Sequence, residues 1–272
     1  MKMNNVDRLD DRYLGYWEKG DFYHATDDGF FSCLSVILYE LLHREGLVTS
    51  INTTHSFTPY KNTPNLNTWP LMFASFEEHV LCKTNSEKIK EVWTPGSVNL
   101  ENYVQNIDLS LFLPWVEKYF TPSKFVEKRV NHLQKKYNID YANTITIHYR
   151  GTDKFKEVTP IPIEKYIEPA DKLLTENPHL KVLIQSDEKD KMNQMLSYFG
   201  DKCFYIEELP QSVDGRGLHV DSEINFNKFK YGVYYLASIL TISKCKYVIT
   251  HIGNGGFWTL LYRGNTLGYT QL

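Results

Sequence analysis

Cysteine is scarce in this chain, with four in 272 residues and no CxxC pair, so neither a disulfide framework nor a cysteine-based zinc site is available. Cys33, Cys82, Cys203 and Cys245 stand far apart and read as reduced, mostly buried thiols of a cytoplasmic protein. Charge of one sign is lacking too: 30 basic against 33 acidic side chains leave a net charge of −3. Proteins that grip nucleic acid through its phosphates carry a basic excess, so we expect no nucleic-acid partner. No apolar run approaches the roughly 20 residues needed to cross a bilayer, so no membrane span is expected. The segment Met1–Gly20 is polar and charged and lacks the apolar stretch of a signal peptide. Internal repeats and low-complexity tracts are also missing. What is present suits a folded chain: 42% hydrophobic and 23% charged residues are too apolar for disorder. This length accommodates one large domain or two of about 130 residues.

Apolar spacing gives the elements. Phe31, Leu34, Ile37, Leu38, Leu41 and Leu42 recur at helical intervals, predicting a helix over Phe30–Glu45 that stops at Gly46, then a short strand over Leu47–Ile51. From Asn52 to Gly96, Thr, Asn and Pro interrupt every apolar piece, which predicts short strands, loops and small helices. Leu100–Phe120 reads as partly helical. Thr121 then offers an N-cap and Pro122 a first helical position, ahead of a stripe formed by Val126, Val130, Leu133 and Tyr137. We place a lobe boundary there, giving residues 1–121 and 122–272. In the second part, expected strands over 144–149, 181–185, 203–206 and 247–250 alternate with expected helices over 163–175, 189–199, 229–243 and 257–262. Such alternation predicts a parallel sheet with right-handed crossovers, hence an α/β fold. Ligands of these sheets lie beyond the carboxyl ends of the strands.

Three strand ends therefore carry the candidate chemistry. The first holds His148, Arg150, Gly151, Thr152, Asp153 and Lys154. Arg presents a fixed fork of donors suited to phosphate, and Gly151 allows close backbone approach. A solvated loop with incidental charge is the plain alternative. The second end, Gln185-Ser186-Asp187-Glu188, reads most simply as a cap, by Ser186 or Asp187, of the helix over 189–199. At the third, Gly253-Asn254-Gly255-Gly256 leads into a helix whose N–H groups and dipole suit an anion, although a tight turn would explain the glycines equally well.

The run His148-Tyr149-Arg150-Gly151-Thr152-Asp153-Lys154 resembles the HxRxTDK donor motif of the α-1,6-fucosyltransferases, the nodulation type among them, and of the wider fucosyltransferase clan. Glu157 and Pro162–Tyr166 are similar to the acidic residue and PIEEY segment downstream of it. Val182–Asp187 resembles the second motif of the clan, Ser243–Asn254 the third, and Gly29–Leu42 the Gly-containing turn and first helix of the other lobe. The likeness is specific from Asn143 to Gly264. It implies a compact GT-B-like fold of two Rossmann-like lobes facing a cleft. The N-terminal, acceptor-side lobe would be reduced, and residues 122–272 would bind the nucleotide sugar. It further implies an inverting glycosyltransferase that moves fucose from GDP-fucose to a saccharide acceptor, with no metal and no other cofactor. Arg150 would hold the β-phosphate, His148 would lie near the nucleoside, and Asp153 and Lys154 would brace the loop. Glu157 would be the catalytic base, with Glu188 as second candidate. Gly253, Asn254 and Gly255 would meet the phosphate where the family uses a serine, and Gly29 would complete the donor site. Ala237-Ser238 stand where the family often places an Asp against guanine. A UDP- or dTDP-sugar donor, or a non-catalytic nucleotide- or sugar-binding protein on the same scaffold, are therefore the alternatives. Trp69, Trp93 and Trp115 could stack on sugar rings, but core packing is the expected role of most of them.

Overall fold

The computed structural model describes residues 15–43, 48–76, 103–152, 160–213 and 227–272. Its first strands, β1 (Gly15–Glu18) and β2 (Asp21–His24), form an antiparallel hairpin. The two-residue link works because Lys19 and Gly20 both take positive φ, 51° and 90°, which matches the twist of the paired strands. Helix α1 (Phe30–His43) then crosses over to β3 (Ser50–Asn52), which pairs parallel with β2. Its apolar side, from Leu34 through Leu42, is fully buried. After α2 (Trp69–Met72), α3 (Tyr103–Asn106), α4 (Leu109–Tyr119) and α5 (Lys124–Lys136), the chain enters a second, larger sheet.

That sheet contains β4 (Thr144–Tyr149), β5 (Lys181–Ser186), β6 (Cys203–Tyr205), β7 (Tyr247–Thr250) and β8 (Tyr269–Gln271). The spatial order is β6-β5-β4-β7-β8 and every neighbouring pair is parallel. Helices α6 (Ile163–Glu176), α7 (Lys189–Phe199), α8 (Lys228–Lys244) and α9 (Asn254–Arg263) lie between the strands in sequence. Strand β4 is central and all six of its residues are buried, as expected for a parallel strand covered on both faces. Ile145 and Ile147 pack with Val182, Ile184 and Ile249 against Tyr166 of α6 and Met192 and Met195 of α7. On the opposite face, Leu183 and Val248 join a core that runs through α8, α9, α4 and α5 to Phe22 and Phe30 beside the first sheet. Trp258 of α9 sits inside this core, donating from Nε1 to Ser35 Oγ of α1 at 3.0 Å, with its ring 4.7 Å from that of Phe120. Cys33 and Cys245 are buried and Cys203 is half-buried, all three as free thiols.

Strand-helix alternation in the second part agrees with the sequence reading to within a residue or so for most elements. Three details differ. The helix expected from Thr121-Pro122 begins at Lys124, because Ser123 supplies the cap, its Oγ accepting from Val126 N at 3.3 Å. Thr121 and Pro122 stay extended: Pro122 bridges Phe73, and Ala74 N donates to Thr121 O at 2.8 Å. The helix expected at Phe257 starts at Asn254, so Gly255 and Gly256 form its first turn. The strand expected at 47–51 is centred later, at Ser50–Asn52.

Because Ser123 both caps α5 and donates to Leu71 O at 2.7 Å, Ser123→Ala should cost about 1 kcal/mol of stability. Thr121→Ala, which removes an exposed hydroxyl bond to Glu117 O, should stay within about 0.5 kcal/mol. Urea denaturation of both variants checks the cap; a larger loss from Thr121→Ala would refute it.

Candidate functional site

The strand order places β4, the first strand of the large sheet in sequence, between β5 and β7. The order reverses at β4 and β7, and a crevice at the carboxyl ends beside such a switch point is where doubly wound sheets take their ligands. A shallow cleft opens next to this point, at the carboxyl ends of β4 and β5. Its strand side is made by His148, Tyr149 and Arg150 from β4 and by Gln185, Ser186 and Asp187 from β5. Leu209, Pro210 and, from α8, Tyr231 and Tyr235 close the other side.

At the mouth, Asp187 binds the loop that follows β4. Its Oδ2 pairs with Arg150 Nη1 and accepts from Thr152 Oγ1 at 2.7 Å, while Oδ1 accepts from Gly151 N at 2.9 Å. The Glu188 carboxylate accepts from Thr152 N. The Glu188 carboxylate occupies the space a Cβ on residue 151 would take. Thr152 turns the chain with φ of 39°. Asp187 therefore does not cap α7, nor does Ser186. The N-cap residue is Glu188 with no side-chain cap, and Ser186 Oγ instead accepts from Glu188 N at 3.0 Å. The cost of an uncapped helix end is offset by three charge-assisted bonds to a neighbouring strand, each stronger than a neutral one. Arg150 and Asp187 are 24% and 10% exposed, so solvent screens this pair less than a surface one.

Behind the mouth lies His148, fully inside the protein. Burial, reinforced by the Arg150 charge and opposed by Asp187, pushes its imidazolium down to about 4, so the ring is neutral at pH 7. His251 packs 5.4 Å away with its ring at 73° and donates from Nδ1 to His148 O at 3.2 Å. The glycines after β7 serve this packing. A Cβ at Gly255 would come 3.3 Å from His148 Cε1, and one at Gly256 would lie 2.6 Å from the Tyr103 hydroxyl. Asn254 Oδ1 accepts from Ser35 Oγ at 2.7 Å, tying α9 to α1. Gly253 precedes α9 with φ of 145°.

Of the residues singled out in the sequence, the structure brings His148 and Arg150 to the cleft wall, with Gly151 adjoining them. Gly253, Asn254 and Gly255 stand at the start of α9, where Gly255 touches His148 from outside the cleft lining. Gly29 begins α1, its carbonyl accepting from Ser32 N and Cys33 N. The two residues after it, Phe30 and Phe31, reach toward the cleft, their rings 6.1 Å and 5.0 Å from that of Tyr235. Asp153, Lys154 and Glu157 lie outside the described residues. Trp69 and Trp115 are core residues, and Trp93 lies outside the described residues. Sequence reasoning missed Tyr231 and Tyr235, stacked at 5.7 Å and 4°, although their i, i+4 spacing on an expected helix was the available signal. It also took Asp187 for a cap and gave Gln185 no role of its own. Among the described residues no helix is long and apolar enough to cross a membrane, and no group of three His, Cys, Asp or Glu side chains is placed to hold a metal.

The architecture is α/β and GT-B-like. No protein-family model and no curated protein sequence matches the chain. Solved structures do match. NodZ α-1,6-fucosyltransferase soaked with GDP-fucose superposes with a TM-score of 0.53 at 13% identity, covering 88% of this chain and 91% of that one. NodZ co-crystallised with GDP gives 0.50 at 15% identity, and fucosyltransferase NodZ from Bradyrhizobium gives 0.50 at 16%. Each of these two covers 86% of this chain and 88% of the other. The likeness is one of fold.

A neutral buried histidine makes stability depend on pH. Below about 6.5 the unfolded chain takes up a proton that folded His148 refuses until about pH 4, so stability falls with pH across that window. His24, held between Ser56 Oγ at 2.8 Å and Thr26 Oγ1 at 2.9 Å, is pushed by burial to about 3 and acts in the same direction. Each should contribute a slope of up to about 1.4 kcal/mol per pH unit. Denaturant midpoints measured from pH 7 to pH 4 should fall, and less steeply in His148→Asn than in the parent; equal slopes would refute the neutral assignment.

Proposed function

We propose that the protein is a glycosyltransferase whose nucleoside-diphosphate-sugar donor occupies the cleft at the carboxyl ends of β4 and β5. The observation that carries this reading is Arg150, set at the mouth of that cleft and held by Asp187. Two further points support it: the HxRxTDK-like run that contains Arg150, and a fold shared with a fucosyltransferase soaked with GDP-fucose. GDP-fucose is accordingly the donor we favour, with a saccharide as acceptor and without a metal or other cofactor. In this reading residues 122–272 supply the donor side and residues 1–121 the acceptor side.

The reaction is an inverting displacement. An acceptor hydroxyl gives its proton to a carboxylate and attacks the anomeric carbon, while the bond to the β-phosphate oxygen breaks. Negative charge on that phosphate grows as the bond lengthens, so a fixed guanidinium stabilises the transition state more than the bound donor. Asp187 keeps Arg150 in place before the donor arrives, and the neutral His148 ring gives the nucleoside a neighbour that adds no charge. Glu157 is the base we assign from the motif, with Glu188 as the second candidate.

A transfer assay with GDP-fucose and a saccharide panel, run in EDTA, tests the reading as a whole; absence of both transfer and donor hydrolysis would favour the non-catalytic alternative. In that assay Arg150→Ala should lower turnover by about 10²–10³, the usual loss for one electrostatic stabiliser. Arg150→Lys should recover little, because an ammonium cannot make the bidentate fork. An Arg150→Ala enzyme with normal turnover would remove the residue from the mechanism.

Glu157→Gln keeps the size of the side chain and removes the proton acceptor. Transfer should fall by about 10²–10⁴ with donor affinity unchanged. Full activity in this variant would move the base to Glu188 and leave the donor site untouched.

A further inference from the structure

We propose that Gln185 reads the base of the donor nucleotide and so sets which nucleoside diphosphate the protein accepts, an assignment that rests on the donor site proposed above. Strand register puts Gln185 beside His148, and His148 beside Thr250, so the three side chains form one row on the sheet face that meets α8. Gln185 is only 4% exposed, yet its carboxamide Oε1 has no hydrogen-bond partner among the described residues. An unsatisfied oxygen of this kind is costly, and few survive in a folded protein without a reason. The oxygen itself is shielded, but Gln185 is part of the cleft wall, so a turn of its carboxamide about the last side-chain bond brings the oxygen to a ligand there.

Shape and depth indicate which part of the ligand meets it. Arg150, 24% exposed at the mouth, takes the phosphates in the proposed site, which sends the other end of the nucleotide inward toward the more deeply buried Gln185. The surfaces around it are flat or apolar: the parallel rings of Tyr231 and Tyr235 and the side chains of Leu209 and Pro210. Such walls suit the plane of a base better than the puckered, hydroxylated ribose. A carboxamide offers an acceptor and a donor side by side, the pattern that complements an N–H and neighbouring acceptor on a base edge. Neutral His148 beside it leaves this recognition free of charge repulsion.

Calorimetric titration of the full chain with GDP, UDP, dTDP and ADP tests the assignment. The parent protein should prefer one of the four by about tenfold or more, as expected where a buried polar group must be matched. In Gln185→Leu the affinity for the preferred diphosphate should fall about 10–100-fold, bringing the four within about threefold of one another. Arg150→Ala should weaken all four and keep their rank order. Retention of the parental preference in Gln185→Leu would overturn the proposal. So would an equal loss for all four, which marks a structural role. Gln185→Met, which keeps the unbranched stem, is read by the same criteria if the leucine variant does not fold. A parent protein that binds none of the four would bring down the donor site itself, a result distinct from any failure confined to the Gln185 variants.

Discussion

The Asp187 carboxylate is the interaction on which the site depends. One side chain at the end of β5 holds three groups at the end of β4: the Arg150 guanidinium, the Gly151 amide and the Thr152 hydroxyl. The described start of the loop after β4, Arg150–Thr152, has no ladder partner among the described residues, and its backbone donors need acceptors once they are removed from water. Asp187 and Glu188 provide them. Strand pairing fixes β4 against β5 to the last residue, Tyr149 opposite Ser186, so the carboxylates arrive at a defined distance from the loop. The geometry of a charged mouth is thereby inherited from the register of two apolar strands.

The same sheet explains why polar residues collect at one end only. Along β4, burial on both faces admits Ile145 and Ile147 toward α6 and α7, while Thr146 and His148 face the core under α8. A histidine there is tolerated because it is neutral and flanked by Thr250 and His251. The glycines of α9 let a helix start approach that ring: side chains at positions 255 and 256 would meet His148 and the Tyr103 hydroxyl. Tyr103 is itself linked to Tyr269 of β8 at 3.1 Å, and the Tyr269 hydroxyl donates to Gly256 O at 2.6 Å. Close packing, rather than anion capture, is the role these contacts assign to Gly256.

What the sequence made legible was the second part of the chain, and the reason is physical. Parallel strands buried on both faces read as continuous β-branched runs, TITIHY and KVLIQS, and their crossover helices are long enough to show a period. Strands β1, β2 and β8 carry no such run in the sequence. Their stability comes from partners far away in sequence or from cross-strand rings such as Tyr16 and Tyr23, stacked at 4.6 Å. At the site, Arg150 and His148 were readable as polar residues ending an apolar strand. Asp187 was misread for a definite reason: an Asp two residues before a helix has a local use as a cap, and only the tertiary fold supplies the competing partner in Arg150. Gln185 has no local signature at all, since an oxygen left without a partner among the described residues is a feature of the tertiary structure alone.

Charge at the cleft mouth also explains why an arginine is placed where two acids already stand. Asp187 and Glu188 together outweigh the single Arg150 charge, so the described part of the mouth has no net attraction for an anion at long range. Long-range steering is therefore not what Arg150 supplies; its contribution is local and directional. A guanidinium held by a carboxylate has lost its rotameric freedom during folding, so in the proposed donor site little further entropy would be lost when a phosphate docks. Short-range electrostatics then act on an already oriented donor fork, in a cleft where part of the water has been excluded by Tyr231, Tyr235 and Leu209. The acids beside Arg150 thus trade attraction for precise placement, and on the proposed function placement is what a charge that develops only in the transition state would require.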